Sequence, residues 1–428
     1  MSQRKIGTMP LVFMMTGAVL GSGIIILPPL ALESAGPWAL VGWALIACFG
    51  LAFAYVFAHV GTLFPGEGGA SNAVERAFGP AAKRLAAFTF TGAILFGPAA
   101  VMLTIVDYLP PGLRPSSPSG PYVAAGCVQV VCALLLASGL RNVGRASMLL
   151  SSTATVLLLA GASVTLLFHA GPVQPLPSFN AGAMGYTLLL LFFAVVGWEV
   201  VGNYGAEVED PQRTVPRAAV LAATVIALVF LAVGAAMQYG VFPADAAPGV
   251  GALLQPVFGP AASFVTSGIV IALCVITYLV VVGGVVRLVG HLAQEGALPA
   301  ILDRRNRCGV PWIAVTGYTV IHLFEIYLAS RHILELDVVV AVADGFFLTN
   351  ALLCALAAVK LFPRFLPRLV AGVLGLGLAV VLSRSHWPVL AAIALMGVFS
   401  LWQARRRLRK APALDNITVS IKDSGTRQ

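Results

Sequence analysis

Glu199 lies in "FFAVVGWEVVGNYGAEVEDP" (Phe192 to Pro211), flanked by apolar residues before the stretch turns acidic from Glu207, with Gly197 two residues before it and Gly202 three after. A second stretch of similar character, "LGSGIIILPPL" (Leu20 to Leu30), places Gly21, Ser22 and Gly23 inside the first apolar run and Pro28-Pro29 towards its end. Glycine exposes backbone and proline removes a donor, so each weakens a helix in the solvent that least tolerates loose amides. A helix interrupted at mid-membrane begins its second half with unbonded N–H groups and ends its first half with unbonded C=O groups. A small zwitterion satisfies both: a carboxylate suits amides near Ser22, Gly23 and Ile24, and an ammonium suits carbonyls of the first and sixth runs. The bland alternative for either stretch alone is a glycine kink that lets two helices pack closely. A dinucleotide fingerprint at "GSG" is excluded, because no strand precedes it.

Glu199 carries the second kind of chemistry. An ionised side chain at the bilayer centre costs roughly 2.5 to 3.5 kcal/mol even on the lenient insertion scale. Of the seventeen Asp and Glu, it is the acid at a mid-membrane break, which makes it a candidate proton carrier or gate switch. The alternative is a permanently protonated residue bridging helices with help from Asn203. Asp344, followed by Gly345, is a second polar candidate nearer the outer surface. His322 and Glu325 share a helical face at i, i+3 spacing and read as a structural pair. Asp107, before Tyr108 and Pro110, reads as an interfacial residue at a helix end.

These residues need membrane helices to position them. The chain of 428 residues is 59% hydrophobic and 10% charged, with mean hydropathy +0.93, whereas a soluble domain carries about a quarter charged residues. Runs of roughly 20 apolar residues, each enough for a hydrocarbon core of about 30 Å, recur along it. Twelve spans are expected: 9–31, 39–60, 84–109, 121–138, 146–169, 182–208, 216–240, 261–288, 311–328, 337–360, 369–382 and 387–403. A single transmembrane domain therefore fills 1–410, and 411–428 reads as a disordered cytoplasmic tail. The apolar run after "MSQRK" is expected to be retained rather than cleaved as a signal peptide.

The net charge of +9 is a matter of topology. Almost every Lys and Arg falls on the side of the membrane that holds the N-terminus, against Arg114, Arg331 and Arg384 on the other. The positive-inside rule then places both termini in the cytoplasm and speaks against nucleic acid as a partner. Five of the six cysteines fall within spans and Cys308 in an inner loop, so neither a disulfide framework nor zinc spacing is present. There is no Walker motif for ATP drive, no His pair at metal spacing, and no nucleophile beside a base, which argues against a membrane enzyme.

The breaks fall in the first and sixth spans, the corresponding positions if two five-helix units follow one another. "AVLGSG" (Ala18 to Gly23) and "AVVGWE" (Ala194 to Glu199) share a frame. An odd number of spans per unit inverts the second, and matched interruptions in inverted halves point to a transporter's substrate site. Repeat one is expected at about 9–169, repeat two at 182–360, and two extra helices at 369–403.

With these features in view, the chain resembles the amino acid–polyamine–organocation (APC) transporters. "GSGI" in the first span, "FPGEGGASNAVERAFGP" (Phe64 to Pro80), "EVEDPQRTVPRA" (Glu207 to Ala218) and "GALPAILDRRNRCGVP" (Gly296 to Pro311) are similar to that family's motifs in the same order. The ending looks like that of its bacterial methionine and branched-chain amino acid exporters. The resemblance implies an all-α five-plus-five inverted-repeat fold with discontinuous helices 1 and 6, and alternating access around a central site. Carried across by motif, Val19, Ser22, Gly23 and Ile24 would surround the substrate's carboxylate and amino group, with Gly21 and Gly197 as the helix breaks. Phe193, Ala194 and Val196 would supply carbonyls, with Phe193 as an aromatic gate, and Glu199 would serve proton sensing or gating. The lysine that some relatives carry in the fifth span is absent from "ASMLLSSTATVLLLAGASVTLLF" (Ala146 to Phe168), so coupling by that route is not expected. Sodium is not expected either, since hydroxyls such as Ser151, Ser152, Thr153, Thr266 and Ser267 commonly bond their own helix backbone.

The substrate half of the pocket is expected to be apolar, from Phe192, Phe193, Val195, Val196 and Trp198, with Tyr278 as a candidate liner. Neutral hydrophobic amino acids follow, with cationic amino acids or amines, or a non-transporting sensor, as alternatives. The expected partners are the amino acid, the lipid bilayer, a proton as coupling ion and a second copy of the chain, with no cofactor and no metal.

Overall fold

The computed structural model describes residues 5–64, 66–110, 112–172, 176–242, 249–334, 336–383, 385 and 387–410. The tail 411–428, Arg4 and Arg384 lie outside the described residues. Among the described residues the chain is helical, with three isolated β-bridges and no strand. Ten helical runs are long and apolar enough to cross a membrane.

The first of these, Thr8–Leu63, makes two crossings. It comprises α1 (Thr8–Leu20), α2 (Gly23–Ala35), a 3₁₀ turn at Gly36–Trp38 and α3 (Ala39–Leu63). Ile6, just before α1, pairs with Val208, and a methyl group built on Gly61 near the end of α3 would meet Gly202 at 3.5 Å. Both ends of the run therefore reach the same end of the molecule. The turn between them is held at the other end by Gln238, which accepts from Leu40 N–H at 2.8 Å and donates to Pro37 O at 2.9 Å.

Next come α4 (Ala70–Phe78), α5 (Pro80–Asp107), α6 (Gly120–Ala137) and α7 (Leu140–Phe168). The sixth span is α8 (Ala181–Phe192), a 3₁₀ turn at Phe193–Val195 and a ten-residue 3₁₀ helix at Trp198–Glu207. Then follow α9 (Pro211–Tyr239), α10 (Gly251–Phe258), α11 (Ala262–Gln294), α12 (Trp312–Ser330), α13 (Leu336–Leu361), α14 (Phe365–Ser383) and α15 (Trp387–Lys410). With the broken helix (α1 and α2) and α3 of the first run counted separately and the shorter apolar stretch Val389–Gln403 of α15 added, the described helices correspond in order to the twelve expected spans. The eleventh, α14, is longer at both ends than expected, and α10 is a short helix in the stretch left as a connection between the expected spans 216–240 and 261–288.

Two five-helix units are visible in the order of elements. Each has a broken helix, then a long helix (α3 or α9), then a short helix (α4 or α10) joined by Gly-Pro to another long one (α5 or α11). The joints share the pentapeptide "FGPAA", at 78–82 and 258–262, with a third copy at 96–100 inside α5. The short helices lie at opposite ends. α4 packs near Gly202 and on α13, whereas the position of a Cβ on Gly161 of α7 is 2.8 Å from the carbonyl of Leu253 in α10. This is the relation expected of an inverted pair.

The core lies where α1 packs against α7, α9 and α11, and where α5 packs against α11 and α13. Large side chains fill it, including Trp43, Phe53, Phe230, Tyr204 and Tyr278. The faces of α12, α14 and α15 that carry Phe324, Leu376 and Leu395 remain exposed, as lipid-facing surfaces do.

Candidate functional site: two facing helix breaks

The first break is two residues long. α1 ends at Leu20, Gly21 adopts φ +43°, and α2 starts at Gly23 after Ser22. That positive φ belongs to a region that side chains with a Cβ rarely adopt. Gly21 N–H closes the last turn of α1 on Gly17 O at 3.1 Å, and Ile25 and Ile26 N–H both bond Ser22 O at 3.1 Å. The first-turn amides of α2, including Gly23 and Ile24, have no acceptor within that helix. Val19, Ser22 and Ile24 are buried beside it. The prolines do not add to the break: α2 continues through Pro28 and Pro29 to Ala35.

The second break is sharper. After the turn at Phe193–Val195, Val196 is extended and Gly197 takes φ +122° before the 3₁₀ helix begins. Glu199 Oε2 accepts from Gly197 N–H at 2.9 Å and is 2% exposed. An anionic group at a helix start is favoured by the helix dipole. The two breaks therefore differ. The second has a main-chain donor occupied by its own carboxyl group, while at the first no side chain among the described residues accepts from the Gly23 or Ile24 amide.

The breaks touch. A methyl group built on Gly23 would lie 3.5 Å from Ala194 Cα and 3.7 Å from Phe193 Cδ1, and one on Gly197 would lie 3.4 Å from Ala18 O and 3.5 Å from Val19 Cγ2. A third element fixes the junction from behind. Thr277 of α11 donates its hydroxyl to Gly17 O at 3.2 Å, and its Oγ1 lies 3.1 Å from where a Cβ on Gly21 would be.

Two hollows flank the junction. A cavity of about 190 Å³ is walled by Leu189, Phe192, Phe193, Val196, Leu348 and Val381, with Asp344 and Ser385 as polar groups. Phe193, 37% exposed, stands between this space and Gly23. A second hollow of about 10 Å³, close to the room one water needs, is lined by Glu199, Asn203, Ser71, Asn350 and Phe90 among others.

On the side that carries the N-terminus, charge holds the elements together. Arg305 donates to both carboxylate oxygens of Glu67 at 2.6 Å and to Asp303 at 2.8 and 2.9 Å. The hydrogen bond to Glu67 raises the affinity of the Arg305 guanidinium for its proton above the ordinary arginine range. Arg287 bonds Glu207 and Gly283 O, with its guanidinium 4.8 Å from the Tyr204 ring centre. Asn203 donates to Glu67 O at 2.9 Å, tying the 3₁₀ helix to the loop before α4.

Several expectations are corrected. Tyr278 does not line the junction; its hydroxyl meets His322 Nδ1 at 3.2 Å, and the residue of α11 that reaches the break is its neighbour Thr277. Val195 faces Gly50 of α3, and Trp198 is buried, so of the five apolar liners expected, Phe192, Phe193 and Val196 border the larger cavity. Gly202 is a close-packing residue against Gly69 and Gly61. His322 bonds Tyr278 and Ile94 rather than pairing with Glu325. Ser152, Thr153, Thr266 and Ser267 bond their own helices, whereas Ser151 is buried without a partner among the described residues. Thr277, Glu67 and Arg305 were not singled out. The signal for the last two was present in "FPGEGG" and "LDRRNR", loops that carry opposite charges.

Comparison with known proteins adds an independent line. The family model described as amino acid permease matches residues 6–420. The chain is 26% identical to the uncharacterized amino acid permease YecA of Bacillus subtilis, covering 90% of this chain and 92% of that protein. It is 26% identical to the L-methionine/branched-chain amino acid exporter YjeH of Escherichia coli, covering 94% and 97%. It is 25% identical to the putrescine transporter PotE of Escherichia coli, over 72% of each chain. With broken helices 1 and 6 in contact and the family model spanning nearly the whole chain, this multi-pass membrane protein belongs to the amino acid permease family, a family of transporters within the APC superfamily.

Proposed function

We propose that the protein is a secondary active transporter of neutral hydrophobic amino acids of the methionine, leucine, isoleucine and valine class. It works by alternating access in the cytoplasmic membrane, with both termini in the cytoplasm. The observation that carries this reading is the direct contact of the two breaks beside a cavity whose walls are apolar except for Asp344 and Ser385. Amides of α2 at Gly23 and Ile24 take the carboxylate. Carbonyls around Phe193, Ala194 and Val196 take the ammonium, and the cavity takes the side chain. Asp344, on that cavity's wall, offers carboxyl oxygens able to accept a hydrogen bond from the ammonium.

Proton linkage is assigned to Glu199. It is buried, it caps the second break, and it borders a hollow the size of one water, so gaining or losing a proton alters the cap at the junction itself. Export is the favoured direction, by likeness to the methionine and branched-chain exporter. Asp344 and the putrescine relative support a second reading, exchange of cationic amino acids or amines.

Efflux from proteoliposomes separates the two. Vesicles preloaded with labelled leucine or methionine should release it faster than protein-free vesicles, and faster still with an imposed pH gradient. Release of arginine or putrescine without release of leucine contradicts the reading.

A further inference from the structure

We propose that His322, outside both the junction and its cavity, is a positioning residue that closes the main-chain gap made by Pro98 and thereby holds one wall of the larger cavity. α5 contains Pro98, which has no N–H, so the carbonyl of Ile94 four residues earlier has no donor within the helix. Ile94 is fully buried, so lipid and solvent do not reach it. His322 Nε2 lies 2.8 Å from that carbonyl oxygen.

A carbonyl only accepts, so Nε2 carries the hydrogen, and Nδ1 is left to accept from the Tyr278 hydroxyl at 3.2 Å. His322 is itself fully buried, and both ring nitrogens are used. One turn away on both helices, Tyr318 donates to Thr91 O at 3.1 Å. A single side chain of α12 thus joins α5 and α11 at the point where α5 is weakest.

The other side of the same segment of α5 seats α13. A methyl group on Gly97 would lie 3.5 Å from Ala343 Cβ, and one on Gly92 would lie 3.0 Å from the Phe346 ring. Asp344 lies between those two α13 residues in sequence, and Leu348 follows one turn later; both border the cavity. If the Ile94 carbonyl loses its donor, the helix relaxes about Pro98, and the seat of α13 at Ala343 and Phe346 moves with it. Glu325, one turn beyond His322, has a buried carboxyl oxygen without a partner among the described residues and does not substitute for the ring.

The test is a cycle of full-length variants: His322→Leu, Pro98→Ala and the two combined. Pro98→Ala returns an N–H to the helix, so Ile94 regains an internal donor. Hydrogen exchange followed by mass spectrometry should show faster exchange across 341–348 in His322→Leu, and the double variant should return towards the rate of Pro98→Ala alone. This readout is independent of which molecule is carried, so it stands or falls apart from the proposed function. Given that function, the KM for leucine efflux in His322→Leu should rise roughly five-fold and recover in the double variant. Equal effects of His322→Leu in both backgrounds would overturn the proposal. So would unchanged exchange at 341–348 in a destabilised His322→Leu protein. Should His322→Leu alone fail to fold, the double variant must restore folding, and a double variant that is equally unfolded also overturns it.

Discussion

Thr277 on α11 donates its hydroxyl to the carbonyl of Gly17, one turn before α1 breaks, at 3.2 Å. The same carbonyl closes the last turn of α1 by accepting from Gly21 N–H. This makes α11 a fixed support for the first break. Thr277→Val keeps the shape and removes the donor. A net hydrogen bond contributes about 0.5–1.5 kcal/mol, so leucine affinity should fall by about 2- to 10-fold. Calorimetric titration of the purified protein reads this, with Thr277→Ser restoring affinity. Wild-type affinity in the valine variant contradicts the role.

The glycines at the junction should differ in tolerance. Gly197→Ala forces a Cβ-bearing residue into φ +122°, a strain of order 1–3 kcal/mol, although the space around it is of ordinary contact distance. Gly23→Ala has ordinary contact distances of 3.5 Å to Ala194 and Leu27, so it should fold and transport with a modest loss. Gly23→Val crowds Phe193 and the amides of α2, so binding should be lost while the protein remains folded. Ligand binding and thermal melting of the three variants give the order, and a well-folded Gly23→Val that binds normally moves the site elsewhere.

Glu199→Gln retains an oxygen able to accept from Gly197 N–H, so the cap of the second break survives while the ionisable group is gone. Leucine efflux from liposomes should depend on the pH gradient in the wild type and be indifferent to it in the variant, at similar expression and melting temperature. A variant with an unchanged pH profile identifies Glu199 as a structural cap only.

Arg305 and Glu67 clamp the N-terminal face with two 2.6 Å bonds from half-buried positions. Opening towards that face must break them. Glu67→Gln should raise the open population roughly tenfold, within the usual range of coupling between conformational states. A cysteine placed at Ser71, which is buried and borders the Glu199 hollow, reports this through its rate of maleimide labelling. Equal labelling rates with and without Glu67→Gln contradict the latch.

Much of the architecture was legible because the bilayer imposes it. Apolar run length gave the twelve crossings, and glycine clusters gave the two breaks, since loose amides inside a membrane need a reason. Ser22, Gly23 and Ile24 were legible for the same reason, whereas Val19, Phe193 and Ala194 came from the family resemblance; in the structure Gly23 lies beside Phe193 and Ala194, and Gly197 beside Val19. What one apolar helix presents to another was not legible. The rotation of α11 decides that Thr277, and not Tyr278, reaches the break, and an all-apolar helix buried on most sides carries no periodicity to reveal it. The short helix α10 was not expected because "GALLQPVF" is only eight residues, interrupted by Pro256, and lies outside the run of about 20 apolar residues that marks a span. Its partner α4 lies in "FPGEGGASNAVERAFGP", which was legible only as a stretch similar to the family's inner-loop motif. The clasp of His322 on Ile94 joins residues 228 positions apart, a relation that a single sequence does not display.

The most direct measurement of the central claim is a comparison of four ligands by calorimetric titration of the purified protein: leucine, leucinol, isoamylamine and isocaproate. If main-chain dipoles of two facing breaks grip both charged ends of one molecule, leucine binds and each analogue lacking an end loses at least about 100-fold, the scale of roughly 2.7 kcal/mol. Isoamylamine or isocaproate binding as tightly as leucine would contradict that account, since one charged end would then suffice.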